Sequence, residues 1–263
     1  MMRLFIKEKT IQGIIVTSFL KTTNGMPIYL VGKLTNDFST IFCQALGDSI
    51  YFIGARDHLA VHIEIFNRDN SLFYEKQTNW NITYAFDSLE VRRNIEWFKR
   101  KANSIRNVEL NIAPIESQLR IFNNVVEAKL DSIIEKPPIP RIPEMDNGES
   151  IKLMNLKDMV NQVRSVKEGV LKLTLSNSGM KMSGSTHTSP VFSIQASHNL
   201  YDNGDNRERS TFCLKDMLLI SCQLASESGS QSADLKFYPS GATQVFSQGD
   251  NVSVRCLITA VKG

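Results

Sequence analysis

Apolar and polar positions alternate with period two along most of the chain, and four stretches replace that rhythm with a helical spacing. "RLFIKE" opens the sequence as an alternating, strand-like run. In "TIQGIIVTSFLKTTNG", Ile11, Ile15 and Phe19 recur at a spacing of four and Gly25 stands as a stop, which predicts a helix starting near Thr10. "MPIYLVGKL", "STIFCQ", "SIYFIGA", "LAVHIEIF" and "NITYAF" predict short strands, split by turn residues such as Asn36-Asp37 and Gly47-Asp48. "DSLEVRRNIEWFKRKANS" gives the clearest helix. Asp87 and Glu90 stand at capping-box spacing, and Val91, Ile95, Phe98, Ala102 and Ile105 make its apolar stripe. "NVELNIA" and "NNVVEAKL" predict two further strands.

The second half repeats this plan. "SIKLM" predicts a strand. "NLKDMVNQVRSV" predicts a helix with Asn155 as N-cap and Leu156, Met159, Val160, Val163 and Val166 facing inward. "GVLKLTLSNSGMKMSGS" predicts a hairpin turning at "SNSG", and "VFSIQAS" a strand. A polar loop, Asn199 to Arg209, precedes the strand "STFCL". "KDMLLISCQLAS" predicts a helix, and "ADLKFYPSGATQVFS" and "NVSVRCLITAV" predict closing strands. Helices starting near Thr10, Asp87, Asn155 and Lys215 thus mark four similar units in tandem. The expected fold class is α+β: two similar domains, each with two helices on antiparallel sheets that bury both apolar stripes.

Between the halves lies "EKPPIPRIPEMDNGESIKL", which holds four of the eight prolines, Pro137, Pro138, Pro140 and Pro143. Proline fixes φ, lacks an N–H, and biases the residue before it toward extended geometry. The run therefore predicts an extended, stiffened strap ending in a turn at "MDNG". The expected division is a first domain over 1–134, a linker over 135–148 and a second domain over 149–263.

Composition changes this picture little. The 263 residues are 42% hydrophobic and 22% charged, as in an ordinary globular protein, with a formal net charge of +3. That balance permits a polyanionic partner without demanding one. No run approaches a membrane span, and the charged N-terminus is not that of a signal peptide, so a cytosolic or nuclear address is expected. The sequons at Asn81 and Asn251 carry little weight in that setting. Cys43, Cys213, Cys222 and Cys256 form no C-x-x-C pair and are expected as buried, reduced thiols.

No catalytic or metal constellation emerges. His58 and His62 are four apart in a strand-like run, with no Glu in H-E-x-x-H form, and are expected as ordinary sheet histidines sharing one face. "GSTHTS" around His187 brings Ser and His together without a nucleophile elbow. No phosphate-cradling G-x-x-x-x-G-K-[ST] occurs. The expectation is no cofactor, no metal and no enzyme activity.

The stretch "PRIPEMDNGESIKLMNLKDMVNQVRSVKEGVLKLTLSNSGMKMSGS" is similar to the start of the second domain in the hydroxyurea-sensitivity (HUS-type) subunits of the nine-one-one checkpoint clamp, within the PCNA-like sliding-clamp superfamily. The C-terminal run from "STFCLKDMLLISCQLAS" to "NVSVRCLITAVKG" and the opening "MRLFIKEKTIQGIIVTSFLKTT" resemble that family's order of elements. The mildly basic charge departs from replicative PCNA, whose family is acidic. The polar loop at 199–209 has no counterpart in the family.

The resemblance implies a non-enzymatic subunit of a heterotrimeric ring that encircles double-stranded DNA without sequence specificity. It implies two paralogous partner subunits, an ATP-dependent clamp loader, repair and signalling proteins as clients, and work in the nucleus with a cytoplasmic pool. The alternatives are a replicative PCNA-type or viral processivity clamp, or a β-rich interaction protein that does not encircle DNA.

A clamp holds DNA by charge and topology, so its working residues are Lys and Arg on helix faces. At about 100° per residue, Arg93 and Arg100 lie opposite the apolar stripe of the second helix, with Arg92, Lys99 and Lys101 on its flanks and Glu96 among them. Lys157 and Arg164 flank the stripe of the third helix, while Asp158 and Gln162 face away from it. Lys21 and Lys215 are the candidates on the other two helices. The same charges also fit ordinary solvated helix faces. In the strap, Ile133, Ile134, Ile139 and Ile142 fit either a groove for partner peptides or a set of pins holding the strap to the sheet.

Overall fold

One order of elements runs through the protein twice. The computed structural model describes residues 18–22, 26–46, 49–66, 72–74, 81–102, 108–113, 118–122, 126–133, 148–176, 178–186, 190–195, 208–250 and 252–261. Two compact units divide the chain: Met1–Gly54 with Glu64–Ile139, and Ala55–Ile63 with Pro140–Gly263.

The first pass contains β1 (Ser18–Thr22), α1 (Met26–Asp37), β2 (Thr40–Leu46), β3 (Ser49–Arg56), β4 (Leu59–Phe66), β5 (Leu72–Tyr74), β6 (Asn81–Asp87), α2 (Ser88–Ala102), β7 (Val108–Ala113), β8 (Gln118–Phe122) and β9 (Glu127–Asp131). The second contains β10 (Glu149–Leu153), α3 (Leu156–Ser165), β11 (Val170–Ser176), β12 (Gly179–Gly184), β13 (Phe192–Gln195), β14 (Arg209–Leu214), α4 (Lys215–Ser226), β15 (Ala233–Phe237), β16 (Thr243–Gln248) and β17 (Val252–Ile258).

Pairing repeats as well as order. The strand before the first helix of each pass pairs antiparallel with the strand after the second helix: β1 with β7, and β10 with β15. From there a meander runs through β8 to β9 in one case and β16 to β17 in the other. The strand after the first helix is flanked by its hairpin partner and by the strand leading into the second helix. Thus β2 lies between β3 and β6, and β11 between β12 and β14. The first pass adds β5 on the outer side of β1.

Period-two burial places the cores. Leu171, Leu173 and Leu175 of β11 are buried between half-buried neighbours, as are Ala128 and Leu130 of β9 between exposed ones. The helices bury their stripes as well: Val91, Ile95 and Phe98 of α2, and Leu156, Met159, Val160 and Val163 of α3, with Val166 just beyond its end. In each unit the two helices pack on each other, α1 on α2 and α3 on α4, while α2 also meets β9 and α4 meets β16 and β17. At Gly54 a side chain would collide with a buried ring, since a Cβ there would lie 2.7 Å from Phe38.

The start of α2 follows its sequence. The Glu90 N–H donates to Asp87 Oδ1 at 2.9 Å, the first half of a capping box. Asp87→Ala is expected to cost about 1 kcal/mol of stability and Asp87→Asn far less, read as shifts in the urea midpoint. Asn155 does stand at the N-cap of α3, but its side chain makes no capping bond there.

Several expectations are corrected. The apolar spacing from Ile11 to Phe19 does not continue as a helix, because Ser18–Thr22 is β1; residues 11–17 lie outside the described set. "MPIYLVGKL", read as a strand, is the body of α1. Pro27 is tolerated in its first turn, where N–H groups have no helical partner. Short strands β5 and β8 were not expected. His58 is not a strand residue. It occupies the β3–β4 turn at φ 65, with its Nδ1 2.8 Å from Thr259 Oγ1, so it does not share a sheet face with His62. Arg209, placed at the end of the polar loop, begins β14 and pairs with Glu149 at 3.0 Å. "RLFIKE", "GSTHTS" beyond Thr186, and the strap from 134 to 147 lie outside the described residues.

All four cysteines are free and buried. Cys222 lies 3.9 Å from the Met159 sulfur, in the seam between α3 and α4. Among the described residues no helix is long and apolar enough to cross a membrane.

Candidate nucleic-acid interface

The outer face of α2 concentrates the basic residues. With Val91, Ile95 and Phe98 buried, the opposite side of the helix presents Arg93 and Arg100, both exposed, and Lys101 is exposed beside them. Arg100 Nε donates to the Glu96 carbonyl at 3.3 Å, which holds the guanidinium stem along the helix surface. Glu90 and Glu96 are exposed on the same side and temper the positive charge.

Two large apolar side chains share this face and were not singled out from sequence. Trp97 is 41% exposed and Leu89 50% exposed. Trp97 follows Arg93 by four residues and precedes Arg100 by three, the spacings that make neighbours on a helix. The signal was present in the sequence, because Trp97 lies off the stripe that continues through Phe98.

Arg92 does different work. It is half-buried; its Nη2 donates to the Thr35 carbonyl at 2.5 Å, and its Nε approaches Thr35 Oγ1 at 3.4 Å. Thr35 is in the last turn of α1, so the guanidinium neutralises the carbonyl end of that helix. The second unit makes the same link with another residue. Lys215, at the start of α4, donates from Nζ to the Arg164 carbonyl at 3.2 Å and to the Val166 carbonyl, at the end of α3. In both units the second helix sends a cation to the C-terminus of the first.

The remaining candidates are spread out. Lys157 and Arg164 are exposed on α3, as are Asp158 and Gln162. Lys21 lies on strand β1 rather than on a helix. The side chains of Lys21 and Lys99 are outside the described set. A cavity of about 430 Å³ beside the start of α3, lined by Met154, Asn155, Lys157, Asp158 and Ser230 among others, is separate from the α2 face.

Of the four strap isoleucines only Ile133 is described. Its N–H donates to the Ala85 carbonyl at 2.7 Å, and the Ser132 hydroxyl lies 3.3 Å and 3.2 Å from the Ala85 N–H and carbonyl. With Tyr51, the Ile133 side chain packs on a cluster of Phe42, Ile53 and Ala85. Phe42 faces Ile53 and Ala85 across the sheet, on the side opposite Ile41 and Cys43. Here Ile133 acts as a pin. Ile134, Ile139 and Ile142 lie outside the described residues. Among the described residues no group of three His, Cys, Asp or Glu is placed to hold a metal ion.

No family model and no curated protein matches the sequence. Similarity appears in three dimensions. A. fulgidus PCNA, solved with the C-terminal region of FEN-1, superposes with a TM-score of 0.71 at 14% identity, covering 94% of this chain and 99% of that one. Entamoeba histolytica PCNA gives 0.71 at 9% identity, covering 94% and 100%. The Helicobacter pylori beta clamp gives 0.68 at 11% identity, covering 98% of this chain and 69% of that one. The duplicated β–α–β modules therefore form the PCNA-like clamp fold, α+β with antiparallel sheets, the α+β plan as the sequence pattern and the clamp fold as the family resemblance led us to expect.

Proposed function

We propose that this chain is a non-enzymatic subunit of a ring-shaped DNA clamp, and within that class a HUS-type subunit of a heterotrimeric nine-one-one checkpoint clamp. The observation that carries the clamp reading is the duplicated module in a PCNA-like fold, with Arg93 and Arg100 exposed on the face of α2 away from its core. Such guanidinium groups suit phosphates of any sequence, since phosphate contacts position DNA without reading bases. The checkpoint assignment rests on the resemblance of residues 140–185 and on the net charge of +3. On this reading two paralogous subunits complete the ring, an ATP-dependent loader places it on DNA, and repair and signalling proteins dock on it in the nucleus. With Ile133 as the pin, Ile134, Ile139 and Ile142 would border the groove for such partners.

The test is topological. The chain co-expressed with its two paralogues should image as a three-membered ring, remain on nicked circular DNA and leave the same DNA once it is linearised. Arg93→Glu with Arg100→Glu should lower the slope of log affinity against log salt by about 2, one phosphate contact for each residue. Equal loss from circle and line would remove the encircling reading and favour a β-rich interaction protein. A replicative PCNA-type clamp is the second reading, favoured by the likeness to E. histolytica PCNA; a stable homotrimer of the purified chain would select it.

A further inference from the structure

We infer that Trp97 is a stacking platform for unpaired bases, so that the α2 face distinguishes gapped or single-stranded DNA from intact duplex. This deepens the clamp reading and rests on it. The indole, 41% exposed in the middle of a helix, lies off the buried stripe of Val91, Ile95 and Phe98 and leaves much of its surface open. Its neighbours decide what it suits. Arg93 and Arg100 stand one helical turn to either side and Lys101 follows at i+4, all three exposed. Positive groups that track a phosphate backbone, with an aromatic ring set between them, are the chemistry that binds single strands. Glu90 and Glu96 share this side, but the three cations outnumber them, and the remaining positive charge argues for a nucleic acid rather than an apolar protein surface as the occupant. An intact duplex offers phosphates to the arginines, but its base faces are closed within the stack. At a gap or a junction a base is free to lie on the indole, and Leu89, also exposed on this side of the helix, extends the apolar surface.

The experiment compares the full chain with Trp97→Ala, Trp97→Phe and the double variant Arg93→Ala/Arg100→Ala. The probes are a blunt duplex, the same duplex with a short single-stranded gap, and oligothymidylate. Circular dichroism confirms that each variant is folded. Trp97→Ala is expected to weaken binding to oligothymidylate and to the gapped duplex by roughly 5- to 100-fold, and to lower the ratio of gapped to blunt affinity. Trp97→Phe should recover much of that ratio, because a smaller ring still stacks. The double arginine variant should weaken all three probes together and flatten their salt dependence. If Trp97→Ala keeps the wild-type ratio while the arginine variant weakens every probe, the stacking role is overturned and the clamp reading stands. If the arginine variant binds all three probes as wild type does, the DNA-facing role of α2 falls, and the inference with it.

Discussion

Phe98→Ala is expected to destabilise the first unit by about 3–5 kcal/mol, the range for emptying a fully buried phenyl site. Phe98 is 0% exposed and shares its stripe with Val91 and Ile95. The helix that carries it packs on α1, β6 and β9, so the cavity would open where helices and sheet converge. Against a total of about 5–15 kcal/mol for a folded domain, this loss is a large fraction. The effect should extend beyond stability. The side of α2 that carries Arg93, Trp97 and Arg100 is positioned by the seating of the opposite side, so on the clamp reading proposed above DNA affinity should fall along with the urea midpoint. Phe98→Leu, which leaves a smaller cavity, should lose less of both. A Phe98→Ala midpoint within about 0.5 kcal/mol of wild type would mean that this stripe does not seat the helix.

Stability is also expected to fall steeply once the pH passes about 9. Burial pushes the Cys213 and Cys256 thiols up to about 12, with a Ser221 hydrogen bond partly opposing the shift at Cys256. Burial raises Cys43 and Cys222 further, and at Cys222 the neighbouring Cys256 and Cys213 add to the effect. An unfolded thiol titrates near 8.5. Below that value both states hold the proton, and the thiols give stability no pH dependence. Above it the unfolded chain releases protons that the folded chain retains, so unfolding becomes progressively easier. Each thiol costs about 1.4 kcal/mol per pH unit, and four together about 5 kcal/mol per pH unit, until the folded thiols themselves titrate.

Cys213, Cys222 and Cys256 belong to the second unit and Cys43 to the first. The second unit should therefore unravel first in alkali. Urea midpoints measured from about pH 8 to pH 11 check this, with Cys213→Ala/Cys256→Ala expected to flatten the second unit's fall by about two thirds. Thiol reagents should leave the native protein unmodified at neutral pH. Rapid labelling of all four cysteines there, or a flat alkaline profile, would contradict their burial.

The sequence spoke most clearly where one periodicity had no rival. In α2 and α3 the spacing of Val91, Ile95 and Phe98, and of Leu156, Met159 and Val163, allows only one buried face, and those residues are buried. The β11–β12 hairpin was legible for a similar reason: Ser176 pairs with Gly179 around the expected turn, and Gly179 takes a φ of 129.

The misreading at α1 has a physical cause. Leu30, Val31, Leu34 and Phe38 carry a helical spacing and are buried, but Pro27 and Gly32 lower helix propensity and the flanking apolar residues blur the period. Ile11, Ile15 and Phe19 offered a cleaner spacing just upstream, and Phe19 nevertheless pairs with Asn111 in a sheet. Strand pairing across about 90 residues of sequence is invisible to local spacing. Strand β8 escaped because in five residues the apolar positions Leu119, Ile121 and Phe122 give alternation little room to show itself, with Phe122 breaking it at the end.

On the candidate interface, the wheel of α2 correctly set Arg93 and Arg100 apart from the core. It had no means of telling Arg92, engaged with α1, from the exposed Arg93 beside it. That difference lives in a tertiary hydrogen bond.

The link from each second helix to the end of the first has an electrostatic outcome that bears on any polyanion. A helix terminus ending in bare carbonyls presents roughly half a negative charge. Uncovered, each such terminus would repel an anion approaching the helices of its own unit. Arg92 at Thr35 and Lys215 at Val166 offset that charge from within, each in its own unit, so that on the proposed clamp reading the α1 terminus would not oppose the pull of Arg93 and Arg100 on a polyanion.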